Sequence, residues 1–95
     1  MFLHLGSEKS LLNKEIIGIF DYNLIKKSRI TKEFMEIITN EGAMEQTNID
    51  KKVKSFIVTK DKVFLSPISS LTLQKRILNA AYQNEQENSE GIFSD

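Results

Sequence analysis

The sequence of 95 residues contains no cysteine, a single proline and a single histidine. Without cysteine, a disulfide framework and every thiolate metal site are excluded, and the composition suits a reducing compartment. No apolar run approaches the roughly 20 residues that are needed to span a bilayer. The first six residues lack the basic start and the long apolar centre of a secretory signal. These absences predict a cytoplasmic protein that has no membrane partner.

Patterns that carry catalysis or metal binding are also absent. His4 lies in a predicted first strand, where a lone histidine is far more often a surface residue than a metal ligand. Ser69 and Ser70 occupy the one stretch that resembles a presented nucleophile, but no base accompanies them, and helix capping explains them better. There is no glycine-rich phosphate loop. We expect no metal, no cofactor and no small-molecule substrate. An enzyme that depends on Ser69 or His4 is a remote alternative.

The length suffices for one domain, and its charges are distributed unevenly. The chain has 13 basic and 13 acidic residues, but from Gln83 onward only acidic ones occur. Residues 1–82 therefore hold 13 positive against 9 negative charges, a net charge of +4. This asymmetry predicts a single mildly basic folded domain at 1–82, followed by an acidic, disordered tail at 83–95.

Apolar runs predict a small, mostly antiparallel sheet. Strands are expected at Phe2–Leu5, near Leu11 and at Ile16–Phe20, and a hairpin is expected from 55–59 and 63–66. Pro67 ends the hairpin because it has no N–H to donate. The intervening segments are predicted as a turn at 21–24, a basic loop at 25–29 and a mobile polar loop at 43–50.

Two helices complete the predicted α+β fold. For the first, Thr31 is the expected N-cap, Ile30 and Met35 are expected to form a hydrophobic staple, and Gly42 suits a left-handed C-cap. Its buried face is predicted to consist of Phe34, Ile37 and Ile38. The second helix follows Pro67, with Ser69 or Ser70 as its cap. Its buried face is predicted from periodicity and comprises Leu73, Ile77 and Ala81, widened by Leu71, Leu78 and Tyr82.

Three strands are apolar at successive positions, although a strand with one wet face should alternate. This pattern implies that both faces of the sheet are covered, and two helices leave little to cover the second face. We infer a homo-oligomer, in which another copy supplies the cover. The alternative is a strongly curved sheet that carries its two helices on opposite sides.

Lysines precede the predicted hairpin at Lys51, Lys52 and Lys54, and a second basic group comprises Lys26, Lys27 and Arg29. One interpretation is a solvated strand edge, where lysines discourage aggregation. The other is contact with the phosphates of DNA. Three lysines bind duplex weakly, but repetition of the patch around an oligomer would raise the affinity by multivalency. The DNA and oligomer hypotheses therefore support each other.

Three stretches resemble the bacterial Rem family of extracellular-matrix regulators, and its B-type members in particular. They are residues 1–6 (MFLHLG), 16–21 (IIGIFD) and 66–76 (SPISSLTLQKR). The likeness covers about residues 1–78 in order and spacing. It implies a small DNA-binding regulator with a mixed sheet and short helices, similar to the LytTR-type fold. The A-type relatives assemble into closed rings and activate matrix and biofilm genes.

In the A-type pattern an arginine-rich run before the late hairpin contacts DNA, and Lys51, Lys52 and Lys54 occupy that run here. Lysine keeps the charge but loses the bidentate fork of arginine, so less specific binding is expected. Glu15 stands where the A-type pattern has arginine. An acidic side chain cannot contact phosphate, and Glu15 can instead pair with a lysine of a neighbouring subunit. The alternative function is an assembly module that acts through a partner regulator without binding DNA.

Overall fold

The computed structural model describes residues 2–6, 9–48 and 50–88, and this part of the chain folds into six strands and three α-helices. The strands are β1 (Phe2–Gly6), β2 (Lys9–Leu12), β3 (Ile16–Asp21), β4 (Met44–Gln46), β5 (Ser55–Thr59) and β6 (Val63–Ser66). The helices are α1 (Leu24–Lys27), α2 (Arg29–Asn40) and α3 (Ser70–Asn88), and a 3₁₀ turn at Asn13–Glu15 joins β2 to β3. The α+β class is confirmed.

Two of the predicted loops are wrong. The basic loop expected at 25–29 contains the last three residues of α1 and the first residue of α2, and the mobile loop expected at 43–50 contains β4. The prediction of two helices therefore missed α1. Neither element has a strong local signal, because α1 has only four residues and β4 only three. Tertiary contacts override weak propensity in such short segments.

The strands form two sheets that are mostly antiparallel. β1 pairs with β2, and the larger sheet has the order β3-β5-β6-β4, in which only the β4–β6 pair is parallel. The predicted hairpin is β5–β6, with Ser55 opposite Ser66 and Ile57 opposite Phe64. The antiparallel-rich character of the predicted sheet is therefore confirmed, but the strands form two sheets and not one, and β4 pairs in parallel.

Both faces of β5 and β6 are covered by the same chain. On one face, Ile57 and Phe64 pack with residues of the β1–β2 sheet and of α3, namely Leu3, Leu5, Leu11 and Leu73. On the other face, Phe56, Val63 and Leu65 pack with Met35 of α2 and with partly buried residues that include Leu24 and Ile25 of α1. The expectation of two covered faces is correct for β5 and β6, which need no second copy for it, whereas the third strand, β3, leaves Ile17 70% exposed.

The N-cap of helix α2 lies three residues before the predicted one, Thr31. Ser28 is the N-cap, and its Oγ accepts a hydrogen bond from the Thr31 N–H at 3.3 Å. Thr31 is thus inside the helix, and Ile30 is 79% exposed, so the predicted staple does not form. Gly42 has φ +70° and confirms the left-handed residue after the helix.

The buried face of α2 is also shifted from the predicted one. Met35 is buried and Ile38 packs beside it, whereas Phe34 and Ile37 are 38% and 55% exposed. The sequence could not separate these positions, because apolar residues lie on two faces of the helix. Ile30, Phe34 and Ile37 form an exposed group that we call the α2 stripe.

Helix α3 starts as predicted. The Ser69 Oγ accepts a hydrogen bond from the Thr72 N–H at 3.2 Å, which confirms the cap, and Leu73 is fully buried. Leu71 and Leu78, predicted to widen the buried face, are each 68% exposed. The helix runs to Asn88, across the boundary drawn at residue 82. Residues 89–95 of the predicted tail lie outside the described residues, and the disorder of the tail stays a prediction.

None of the helices in the described ranges combines the length and the apolar character that a membrane crossing requires.

Candidate nucleic-acid interface

The lysine run lies between β4 and β5 and is held by its last residue. The Lys54 N–H donates to the Ser66 carbonyl at 2.8 Å, and the Lys54 carbonyl accepts from the Tyr22 N–H at 3.0 Å. Lys54 therefore links the end of β6 to the turn that follows β3. Because both backbone groups are bonded, the strand ends fix the course of the chain at Lys54 while the side chain stays exposed.

Two buried serines fix the path from β6 into α3. The Ser66 hydroxyl donates to the Leu5 carbonyl and accepts from the Ile68 N–H at 3.0 Å. Directly opposite, the Ser55 hydroxyl donates to the Ile68 carbonyl at 2.7 Å. Both serines are fully buried, and their hydroxyls satisfy backbone groups that the turn at Pro67 removes from the ladder. This arrangement brings the start of α3 beside the lysine run.

A cleft of about 270 Å³ opens where these segments meet. Three segments line it: the turn after β3, the lysine run and the first turn of α3, contributing Asp21, Tyr22, Asn23, Lys52, Val53, Lys54, Ser69, Ser70 and Leu71. The Asp21 Oδ1 accepts a hydrogen bond from the Asn23 N–H at 2.8 Å, which closes the turn on one side of the cleft. The cleft thus combines two lysines with the N-terminal end of a 19-residue helix.

The lysines of the run differ in their pairing from several other cations of the chain. Lys9 and Lys62 both pair with Glu45, at 3.4 and 3.5 Å, and Arg29 pairs with Glu33 at 3.3 Å. Among the described residues, no carboxylate pairs with Lys51, Lys52 or Lys54. These three charges are therefore available to an anion from outside the chain.

Comparison with known proteins identifies the family of this chain. The family model for RemA-like proteins, described as extracellular matrix regulatory protein A-like, matches residues 2–77. The chain belongs to the RemA-like family. It is also 33% identical, over 76 residues, to extracellular matrix regulatory protein B of Bacillus subtilis (strain 168). That match covers 80% of this chain and 89% of the relative. The matched region contains the lysine run and the start of α3.

The family assignment agrees with the resemblance inferred from the three sequence stretches. It identifies the chain as a member of a family of extracellular matrix regulatory proteins. It assigns no role to any residue of the cleft. The contact of Lys51, Lys52 and Lys54 with DNA therefore stays a prediction.

The structure gathers some of the predicted residues of this RemA-like chain and leaves others apart. Lys52 and Lys54 line the cleft, whereas Lys51 is exposed beside it and does not. Lys26 and Lys27 form the last turn of α1, which starts directly after the turn that lines the cleft. Arg29 begins α2 and is engaged with Glu33. The second basic group is thus exposed but lies outside the cleft.

Sequence reasoning predicted the turn at 21–24 but gave Asp21 no part in a site, and it explained Ser69 and Ser70 as helix caps and not as residues that line a cleft. A pair of serines after a proline at a helix start is a weak signal for an anion site. The residues that share the cleft with these serines could not be predicted from the sequence. Ser70 and Lys52 line the same cleft because of the β5–β6 register and the turn at Pro67.

Proposed function

We propose that this chain is a DNA-binding transcriptional regulator of extracellular matrix and biofilm genes. Lys51, Lys52 and Lys54 contact the phosphate backbone, and the patch is repeated in a homo-oligomer. Lys26, Lys27 and Arg29 extend the basic surface. The observation that carries the proposal is the group of lysines in and beside the cleft, none paired with a described carboxylate. The family, named for matrix regulation, supports the regulatory part.

Phosphate contacts give sequence-independent affinity, whereas sequence is read from the base edges. Lysine presents a compact charge and lacks the planar fork of arginine. Among the six proposed contact residues only Arg29 is an arginine, and it is already paired with Glu33. A surface of this kind is expected to bind the phosphate backbone of DNA and to discriminate weakly between base sequences.

Exposed apolar surface supports the homo-oligomer. The α2 stripe offers Ile30, Phe34 and Ile37 to solvent. Strand β3 is an edge of the four-stranded sheet, and its Ile17 and Phe20 are 70% and 39% exposed. Long apolar sheet edges and apolar patches of this kind are typically covered by a partner. A second copy of the chain is the partner that also multiplies the lysine patch.

Fluorescence anisotropy of a labelled duplex, measured at several salt concentrations, tests the DNA contact. Wild-type protein should bind with a steep salt dependence, and the K52E/K54E variant should lose binding. Each lost phosphate contact should reduce the log–log salt slope by about 0.9. The matched control is K32E/K60E, which makes the same change of charge at two exposed lysines outside the cleft.

Equal losses in K52E/K54E and K32E/K60E would show that only net charge matters and would contradict the assigned surface. No binding by wild-type protein at low salt would favour the alternative, an assembly module that acts through a partner regulator. The exposed position of Glu15 just before β3 favours that alternative, because its carboxylate repels phosphate. A Glu15→Arg variant that gains DNA affinity would place this position near the backbone.

A further inference from the structure

The first turn of α3 lines the cleft and contains backbone donors that have no described acceptor. A helix leaves its first N–H groups without intrahelical partners. Here the Thr72 N–H is bonded to the Ser69 Oγ, and the Leu73 N–H is bonded to the Ser69 carbonyl at 3.1 Å. No described residue accepts a hydrogen bond from the N–H of Ser70 or Leu71. Both residues line the cleft.

Ser70 supplies a second and independent observation. It is only 9% exposed, and its hydroxyl forms no hydrogen bond with any described residue. Among the described side chains, the Ser70 Oγ is not one of the atoms that are both buried and without a partner, so it keeps access to solvent. Because Ser70 lines the cleft, a molecule in the cleft is the partner that can reach this hydroxyl.

We propose that the cleft is a phosphate seat. The phosphate oxygens accept hydrogen bonds from the Ser70 hydroxyl and from the N–H groups of Ser70 and Leu71, while Lys52 and Lys54 neutralise the charge. Helix N-termini favour anions through both their free N–H groups and the helix dipole. The two lysines outnumber the one carboxylate of the cleft, that of Asp21.

The volume of the seat fits this assignment. Sites for drug-sized ligands enclose about 300–1,000 Å³, and the cleft of about 270 Å³ lies just below that range. A phosphate group is small enough to enter a cleft of this size. The source of the phosphate is the backbone of DNA or a free phosphate. The DNA source rests on the proposed function, whereas binding of inorganic phosphate does not.

Amide NMR of the full chain, titrated first with inorganic phosphate and then with a short duplex, tests the seat. We expect saturable shifts at the amides of Ser70 and Leu71 with both ligands. The Ser70→Asp variant should lose phosphate binding by about tenfold or more, since its carboxylate would occupy the seat. Aspartate also suits the first turn of a helix, so the fold should persist.

The matched control is Thr72→Asp. It adds the same charge in the same turn of α3, at an exposed residue that does not line the cleft. Its phosphate and duplex affinities should fall by less than about threefold, because exposed charges are largely screened by salt. The Ser70→Ala variant, which removes only the hydroxyl, keeps the test valid if Ser70→Asp fails to fold, and it should weaken phosphate binding severalfold.

The outcomes separate the two proposals. Shifts at Ser70 and Leu71 with phosphate and with duplex, weakened in Ser70→Asp alone, support the seat with DNA as the source. Shifts with phosphate alone support the seat with a free phosphate as its ligand. No shift at these amides with either ligand, and equal affinities for Ser70→Asp and Thr72→Asp, overturn it. In that case a loss of duplex binding in K52E/K54E would leave the proposed function intact.

Discussion

At the scale of single residues, the position of the site depends on side chains that bond to the backbone, whereas its charge comes from the lysines. The Ser66 hydroxyl is the clearest case. It is fully buried and joins the Leu5 carbonyl to the Ile68 N–H, and so ties β1 to the segment between β6 and α3. The Ser55 hydroxyl donates to the Ile68 carbonyl and so ties β5 to the same segment. These two serines set the position from which α3 begins.

Ser66→Ala should lower the free energy of unfolding by about 1–3 kcal/mol, because it removes two buried hydrogen bonds and leaves backbone groups less satisfied. Urea denaturation measures the change. Ser10→Ala is the control, since Ser10 is exposed and a surface substitution should stay within about 0.5 kcal/mol. An unchanged unfolding midpoint for Ser66→Ala would show that its hydrogen bonds contribute no net stability.

Asp21 is the carboxylate that opposes an anion in the cleft. Asp21→Asn keeps the side-chain oxygen that accepts from the Asn23 N–H, and it removes the negative charge. We expect tighter duplex binding, by a few-fold at low salt, because one repulsive charge near the bound phosphate disappears. Anisotropy titrations of Asp21→Asn and wild type make the comparison. The exposed Asp61→Asn, at the far turn of the hairpin, is the control, and an equal gain there would refute a local effect.

At the scale of elements, α2 is defined by its ends and by its two apolar faces. Ser28 fixes its start and Gly42 its end, and Met35 and Ile38 attach it to β5 and β6. The α2 stripe lies on a different side and is left to solvent. Local capping chemistry therefore determines the extent of the helix, while packing against the sheet decides which apolar face is buried.

The left-handed conformation at Gly42 gives a test of the helix end. Gly42→Ala should cost about 1 kcal/mol, because a Cβ is disfavoured at φ +70°. A Cβ at this position would meet no atom within 4 Å, so the cost is one of backbone conformation and not of a clash. Gly42→Asn is the matched control and should cost less, since asparagine tolerates this region. Equal thermal midpoints for Gly42→Ala and wild type would contradict the argument.

At the scale of the whole molecule, the chain buries its central strands and leaves other apolar surface open. Strands β5 and β6 are enclosed by α2 on one side and by the β1–β2 sheet with α3 on the other. The open surface consists of the α2 stripe, the edge strand β3 and exposed residues of β1 and α3. A homo-oligomer is therefore motivated by these surfaces and not by the central strands.

The double variant F34Q/I37Q tests this assembly. Light scattering after size exclusion should show a lower mass than for wild type, because the variant removes apolar area from the α2 stripe. K32Q/E36Q is the control, since it places glutamine at two exposed polar positions of the same helix without changing the net charge. The mass of the control should equal that of wild type. An unchanged mass for F34Q/I37Q would exclude the stripe from the interface.

The sequence by itself determined the elements whose signals are local. Apolar runs separated by turn residues predicted β1, β3 and the β5–β6 hairpin. Ser69 and Ser70 predicted the start of α3, and Gly42 predicted the end of α2. Three short stretches were enough for the family. The order of residues in the chain showed three lysines just before the hairpin. Each of these signals is carried by residues that are close in the chain, so propensity, capping and charge could be read without a fold.

Only the tertiary structure decided the rest. Strand β4 exists because it pairs with β6 in parallel, and α1 exists because Leu24 and Ile25 pack on the sheet, two effects that no local pattern encodes. The choice of Met35 over Phe34 as the buried residue follows from where α2 docks. The cleft requires the register of Ser55 with Ser66 and the turn at Pro67 to bring Ser70 beside Lys52. Contacts between residues far apart in the chain set these positions. The sequence contains the residues that form these contacts but does not show which of them pair.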